Sequence, residues 1–294
     1  MLPAFAKINW MLRVRGRRPD GYHEIETVFQ TVALHDSLYF SRRGDEFISL
    51  TCDRVGIPID RSNLIVRAAM LLKERLGIAW GADIHLEKRI PAPGGLGGGS
   101  ADAASALLGL CRLWNLGVER EVLAEMGREL GADVPFFFTG GTALGTGTGE
   151  KIRPLPDARS SFLVIVTPDV AIATAAAYQS LNAAPLTKNF TESTLTVSPL
   201  REEFGHFPHS GMRNDFESVV ATSYPPVARA KELLLENGAD LAMVCGSGAS
   251  VYGLFSDRPA QERAAAQLRA GSDGSVFVTE TLSRTAYATA MGLH

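Results

Sequence analysis

The sequence predicts an α+β fold, and three observations carry that reading. The opening third reads as strands around turns, segments with three-and-four apolar spacing follow, and beyond residue 156 apolar strands interleave with helices. At 294 residues the chain can bury a sizeable core, and its length suits one large domain or two intimate ones. The division is placed between residues 1–154 and 155–294, beside "GTGTGEKIRPLP", which reads as a linker or a turn between domains.

Taken in order, "AFAKINWMLRV" alternates, with Ala6, Ile8, Trp10 and Leu12 on one face and Phe5, Lys7, Asn9 and Met11 on the other. Lys7 and Asn9 therefore point the same way. Asp20-Gly21 marks a turn, and "YHEIETVFQTVAL" resumes as β-branched and aromatic strand. A helix follows Asn63 in "NLIVRAAMLLKERLG" and stops at Gly77, after which "ADIHLEKRI" alternates as a strand. Five glycines within six residues, Gly94 to Gly99, then open a helix with Ala103, Ala106, Leu107, Leu110, Leu113 and Trp114 on one face. Ser100 or Asp102 stands where a side-chain cap belongs.

The next helix, "EREVLAEMGRELG", sets Val122, Leu123, Met126 and Leu130 on one side and stops at Gly131, and "FFF" begins another strand. Beyond it, strands at "FLVIV", "LAMVC", "SVYGLF" and "SVFVTE" interleave with helices near Ala175–Leu181, Pro226–Asn237 and Ala260–Arg269. The weakly periodic stretch from Ala183 to Ser210 reads as an ordered surface connection or a lid.

Composition excludes several classes of function. Hydrophobic content of 46% with 21% charged residues is ordinary soluble composition. A net charge of −3, from 29 basic and 32 acidic residues, creates no global field to attract nucleic acid or an anionic membrane. The basic run in "RVRGRRPDGYH" is the exception, a solvated turn or a local site for a small anion. Cys52, Cys111 and Cys245 lie far apart without paired spacing, so reduced, inert thiols are expected. No stretch suits a signal peptide or a membrane span, and no spacing suits zinc or a redox metal, so a cytoplasmic location is the expectation.

Glycines without Cβ atoms at the mouth of a helix let backbone N–H groups approach an anion, and the helix dipole favours negative charge there. A diphosphate or triphosphate fits such a loop. It is not a Walker A loop, because no lysine separates Gly99 from Ser100, and it is not a dinucleotide fingerprint, because Ser100 stands where the third glycine belongs. In "LGADVPFF", Asp133 follows a helix end as an ordinary turn aspartate or as a partly desolvated carboxylate. In "CGSGASVYGLF", Gly246, Ser247 and Gly248 make a hairpin turn or a second anion nest.

In their order, "FAKINWML", "DGYHEIETVFQTV", "NLIVRAA", "PGGLGGGSADAA", "LGADVPFF" and "CGSGASVYGLF" resemble the GHMP kinase superfamily, from about Ala4 to Phe255. Within it, they are similar to the branch that acts on a cytidyl diphosphate substrate in non-mevalonate isoprenoid precursor synthesis. The resemblance implies an N-terminal domain like ribosomal protein S5 domain 2, a ferredoxin-like C-terminal domain and an active site between them. It implies an ATP-dependent small-molecule kinase that phosphorylates the tertiary 2-hydroxyl of that substrate and releases ADP. Its partners would be the substrate and ATP, without nucleic acid or membrane, in a monomer or homodimer.

By position, the resemblance makes Asp133 the catalytic base and Lys7 its charged neighbour. Gly94, Gly95, Leu96, Gly97, Gly98, Gly99 and Ser100 would hold the ATP phosphates. Mg²⁺ would come with ATP near Ser100 rather than in a dedicated metal site. Ala101 stands where many relatives carry a second hydroxyl, which leaves that contact without a counterpart. Tyr22 and His23 would hold the cytosine, with Tyr178 on its other face and Asn9 among the substrate contacts. Asn63, Leu64 and Lys88 match the adenine pocket, and Gly246, Ser247 and Gly248 the wall near the transferred phosphate. Two other readings stand beside this one: a kinase of the same superfamily acting on homoserine, mevalonate or a sugar, and a non-catalytic nucleotide sensor. Retention of both Lys7 and Asp133 argues against the sensor.

Overall fold

Two long strands set the frame. β1 (Leu2–Arg17) and β2 (His23–Arg42) pair antiparallel around the Asp20-Gly21 turn, where Asp20 Oδ1 accepts from the Tyr22 N–H at 3.1 Å. The computed structural model describes residues 1–181, 183–184 and 212–293. Of the stretch read as a connection or lid, only residues 183 and 184 fall among these, and the rest lies outside the described residues.

β3 (Ile48–Cys52), β4 (Ala82–Glu87) and the short β8 (Arg213–Asn214) extend the hairpin into a sheet of order β3-β4-β2-β1-β8. β5 (Thr142–Thr146) pairs with β2 and with β6 (Lys151–Pro154). "GTGTGEKIRPLP" is therefore a hairpin inside the first sheet and not a linker. α1 (Leu64–Leu76), α2 (Gly98–Leu113) and α3 (Arg120–Leu130) bury one apolar cluster against this sheet, including Ile65, Leu72, Leu107, Leu110 and Leu123. Asn63 caps α1 by accepting from the Ile65 N–H at 2.8 Å, and left-handed Gly77 ends it.

A second, wholly antiparallel sheet has the order β11-β7-β10-β9: β11 (Ser275–Glu280), β7 (Phe162–Thr167), β10 (Val251–Phe255) and β9 (Leu241–Val244). Its alternation is clean. Leu163, Ile165, Met243, Tyr252 and Leu254 face the first sheet, where they meet Ile8, Trp10 and Val28. Val164, Val166, Val244 and Val251 face the other way into a cluster closed by α4 (Thr174–Ser180), α5 (Glu217–Ser223), α6 (Pro225–Glu236) and α7 (Arg258–Gly271). The mixed α+β content expected from the sequence is thus arranged as two sheets packed face to face with helices outside each. α8 (Arg284–Met291) returns to the first cluster through Tyr287 and Met291.

Four further expectations need correction. Register shifts in β1 between Asn9 and Met11 break the simple alternation, so Met11 joins Ile8 and Trp10 while Leu12 packs in the second sheet's outer cluster. "VPFFF" is a 3₁₀ turn over Val134–Phe138, because Pro135 favours a first helical turn and all three phenylalanines can then pack inward. Val122, placed on the apolar face of α3, is 46% exposed. Ser100 and Asp102 do not cap α2, because left-handed Gly97 starts the helix ahead of them and leaves both inside it.

All three cysteines are unpaired, as expected. Burial pushes the Cys111 thiol up to about 11 and that of Cys245 to about 12, so both are protonated at neutral pH.

Candidate active site

A cleft of about 900 Å³ opens where β1, the glycine loop, the start of the 3₁₀ turn, α4 and the β9–β10 loop meet. The loop is fastened on two sides: the Lys7 N–H donates to the Leu96 carbonyl at 2.9 Å, and the Ser250 N–H to that of Gly94 at 3.2 Å. Leu96 anchors it further, its side chain buried between the two sheets. Gly95 explains itself by contact, because a Cβ there would stand 2.0 Å from the Cys245 carbonyl oxygen at a φ of +74°. With Gly97 as cap and no side-chain acceptor, the first N–H groups of α2 remain available for an anion at the positive end of the helix dipole.

Lys7 and Asp133 sit beside this loop. Lys7 is only 4% exposed, and its ammonium stands 3.4 Å from Asp133 Oδ2. It donates to Asn9 Oδ1 at 2.9 Å and lies 5.4 Å from the centroid of the Phe29 ring. Asn9 in turn accepts from the Gly246 N–H at 3.1 Å and donates to Thr27 Oγ1 at 2.7 Å. This chain of bonds holds the lysine in one position and ties it to the β9–β10 loop. Asp133 keeps 31% of its side chain exposed on the cleft wall, so its carboxylate is reachable while its neighbour is not.

At the far end, His23 and Tyr178 stack on one another with centroids 4.8 Å apart and 25° between their planes. Phe216 meets Tyr178 edge-on at the same separation. That spacing has no room for a third ring between His23 and Tyr178. Tyr22, 66% exposed, lines the same cleft. Burial and the nearby Arg17 charge hold the His23 pKa below the usual histidine value, which keeps the imidazole neutral at neutral pH.

The cleft brings together Lys7, Asn9, Tyr22, His23, Gly95, Gly97, Ser100, Asp133, Tyr178, Gly246 and Ser247. Other expected residues stand behind it. Gly94 faces Ser250, and Gly98 faces Ile90 and Lys88. Gly248 faces Ile172 and Val220 in the second cluster. Asn63 is occupied as the cap of α1, while Leu64 adjoins Gly99 at the loop's exposed edge. Lys88 is 5% exposed and bound to Asp36 and Asp102, so it is unavailable to an adenine ring.

Sequence reading missed Arg17, Thr27, Thr174 and Phe216, which also line the cleft. It missed Asn214 as well, whose amide donates to the Val244 and Gly246 carbonyls at 2.9 and 2.7 Å and fixes the β9–β10 loop. The basic run at Arg13 to Arg18 was the available signal for Arg17, whereas nothing in "RNDFES" announced Asn214.

The chain is similar to several known proteins. Residues 63–141 match the GHMP kinases N terminal domain, and residues 199–273 match GHMP kinases C terminal. The 4-diphosphocytidyl-2-C-methyl-D-erythritol kinase of Nitrosospira multiformis is 44% identical over 287 residues, 96% of this chain and 91% of that one. The protein of the same name from Moorella thermoacetica is 41% identical, covering 96% of this chain and 98% of its own. A crystal structure of 4-(cytidine 5'-diphospho)-2C-methyl-D-erythritol kinase matches with a TM-score of 0.77 at 33% identity, over 95% of this chain and 98% of that one. A homoserine kinase structure from Cytophaga hutchinsonii shares the fold, with a TM-score of 0.69 at 20% identity over 95% and 94% of the two chains. Likeness over nearly the whole length at these identities, with both domain matches in order, means that the chain belongs to the 4-diphosphocytidyl-2-C-methyl-D-erythritol kinase family of GHMP kinases.

Proposed function

We infer that the protein transfers the γ-phosphoryl group of ATP to the 2-hydroxyl of 4-(cytidine 5′-diphospho)-2-C-methyl-D-erythritol, giving the 2-phosphate and ADP. Family membership supports the reaction, and the observation that carries the assignment of residues is the Lys7–Asp133 pair, 3.4 Å apart beside the glycine loop. The ATP phosphates lie on the N–H groups of the loop and of the first turn of α2. The acceptor hydroxyl approaches Asp133. A carboxylate is far too weak a base to ionise an alcohol beforehand, but in a loose phosphoryl-transfer transition state the proton leaves late. Asp133 therefore orients the hydroxyl and takes its proton as the oxygen bonds to the γ-phosphorus and the bond to ADP breaks. Lys7, fixed by Asn9, holds the carboxylate and offers positive charge to the transferred group.

Among the described residues, no group of three or more His, Cys, Asp or Glu side chains is arranged to hold a metal. Mg²⁺ does not need one, since it usually binds through substrate phosphates, water and one or two oxygen ligands. Ser100 offers such an oxygen on the cleft wall and would hold the ion that comes with ATP. When bound it neutralises charge on the phosphates.

His23 and Tyr22 recognise the cytosine, His23 through ring nitrogens that hydrogen-bond the pyrimidine edge and Tyr22 by stacking. The first test is ADP release from the purified protein with ATP, Mg²⁺ and the cytidyl substrate, set beside mevalonate and homoserine. Turnover with the cytidyl substrate alone is expected, and phosphorylation of mevalonate or homoserine instead would sink the assignment.

A further inference from the structure

The largest buried charge cluster among the described residues is not in the cleft but directly behind the glycine loop. Lys88 follows β4, Asp36 lies in β2 and Asp102 lies in α2, all three almost fully buried. The Lys88 ammonium bonds to Asp36 Oδ2 and, at 3.0 Å, to Asp102 Oδ2. Asp36 Oδ1 accepts from the Arg89 and Ile90 N–H groups at 2.5 and 2.8 Å. The ammonium also lies against the loop itself, since a Cβ on Gly98 would stand 2.9 Å from Lys88 Nζ.

As a source of stability this cluster is a poor device. One cation faces two carboxylates in the interior, and Asp102 Oδ1 has no hydrogen-bond partner. Burial pushes the Asp102 carboxyl up to about 7 despite the pull of Lys88, with Asp36 adding to the rise. Lys88 stays charged, because Asp102 and Asp36 more than offset the effect of its burial.

What the cluster does have is position. Residues 88 to 90 lead into the glycine loop, Asp102 stands where the loop has become helix, and Asp36 belongs to the rigid hairpin. We infer that Lys88 is a positioning residue for ATP: together with Asp36 and Asp102 it clasps both ends of the phosphate loop to β2 and thereby aims the loop's N–H groups. This rests on the reading of that loop as the ATP phosphate site. It replaces the adenine contact that the sequence assigned to Lys88.

The test measures binding of a non-hydrolysable ATP analogue by calorimetry, with KM for both substrates and a thermal melt for each variant. Asp102→Ala removes the helix end of the clasp and leaves Lys88 and Asp36 as a balanced pair. It should stay folded and bind nucleotide about tenfold more weakly, with KM for the cytidyl substrate within about twofold. Asp102→Asn keeps an acceptor for the ammonium and should return affinity to within about threefold of the unaltered protein. Lys88→Met/Asp102→Ala leaves Asp36 on its backbone donors and should weaken binding no further than Asp102→Ala alone. The inference fails if folded Asp102→Ala binds the analogue normally, if Asp102→Asn is as weak as Asp102→Ala, or if the folded double variant binds more weakly than Asp102→Ala. Lack of nucleotide binding by the unaltered protein would overturn the kinase reading as well. Normal binding there with an unaffected Asp102→Ala overturns this inference alone.

Discussion

The two ends of the cleft are built differently. Around Lys7 the supporting polar contacts are buried and bonded, the ammonium to Asn9, Asn9 to Thr27 and Gly246, and the loop carbonyl of Leu96 to the backbone of β1, and Asp133 alone of its partners opens to the cleft. Around Tyr22 the rings are exposed or stacked on one another, and the residues come from a turn, the first residue of β2 and the seven-residue helix α4. A phosphoryl-transfer site gains from groups fixed in advance, because positioning and charge stabilisation supply most of its rate. A site that must admit and release a nucleoside gains from rings that can part. The difference therefore accords with the proposed function, in which one end carries turnover and the other substrate choice.

The strongest way to break that division is Asp133→Asn. It keeps shape and hydrogen bonding but removes the proton acceptor, so kcat should fall by about a thousandfold while ATP binding persists. Single-turnover kinetics with calorimetry separates the two, and near-normal turnover would take the base role from Asp133. Second comes Gly95→Ala. The added Cβ collides with the Cys245 carbonyl oxygen, so the loop must move by an ångström or so, and kcat/KM for ATP should drop about a hundredfold. Gly117→Ala is its control, because a Cβ there meets nothing within 4 Å and the residue lies outside the loop, and that variant should behave like the unaltered protein. Equal effects at the two glycines would mean that the loop is not held by the contacts described above.

At the other end, His23→Ala should raise KM for the cytidyl substrate about tenfold and leave KM for ATP within about twofold. Steady-state kinetics with each substrate varied in turn checks it. A parallel rise in both would contradict the separation of the two ends.

How much of this was legible beforehand follows the same division. The rigid end reads from sequence because its residues lie in short motifs on regular elements: alternation brought Lys7 and Asn9 to one face, and five glycines before an apolar helix marked the phosphate loop. Three kinds of information were out of reach. Bulges in β1 moved Met11 and Leu12, and periodicity alone cannot locate a bulge. The partners of Lys88 stand 52 and 14 residues away, so "LEKRI" gave no hint that its cation is buried rather than presented to a ligand. Short, weakly amphipathic elements escaped too: β3 pairs parallel with a strand 30 residues on, α5 is rich in β-branched residues, and α8 depends on the Ser283 cap and packing of Tyr287. Aromatic geometry at the nucleobase end was the least legible, because motif positions say which rings are present and not which of them touch.

The smallest expected effect sharpens the comparison most finely. His23 carries a lowered pKa, from burial first and the Arg17 charge second, while Tyr178 covers one of its faces. The unfolded chain therefore takes up this proton before the folded one does. The stability the group contributes is complete above the unfolded value near 6.5 and is lost as pH falls toward the lower folded value. Protonation also leaves the ring with two donors and no acceptor, near the Arg17 charge. At saturating ATP, kcat/KM for the cytidyl substrate should consequently fall several-fold on the acid side with an apparent pKa below 6.5. The substrate's diphosphate is a diester with no ionisation in that range, whereas the terminal phosphate of ATP does ionise there, so the titration of His23 and the His23→Ala variant decide whose inflection it is. NMR titration of His23 should give the same value, and His23→Ala should abolish the inflection while leaving its raised KM. If His23 titrates at or above 6.5, or the inflection survives its removal, the imidazole is not the group that reads the base, and Tyr22 with Arg17 becomes the recognition pair to dissect.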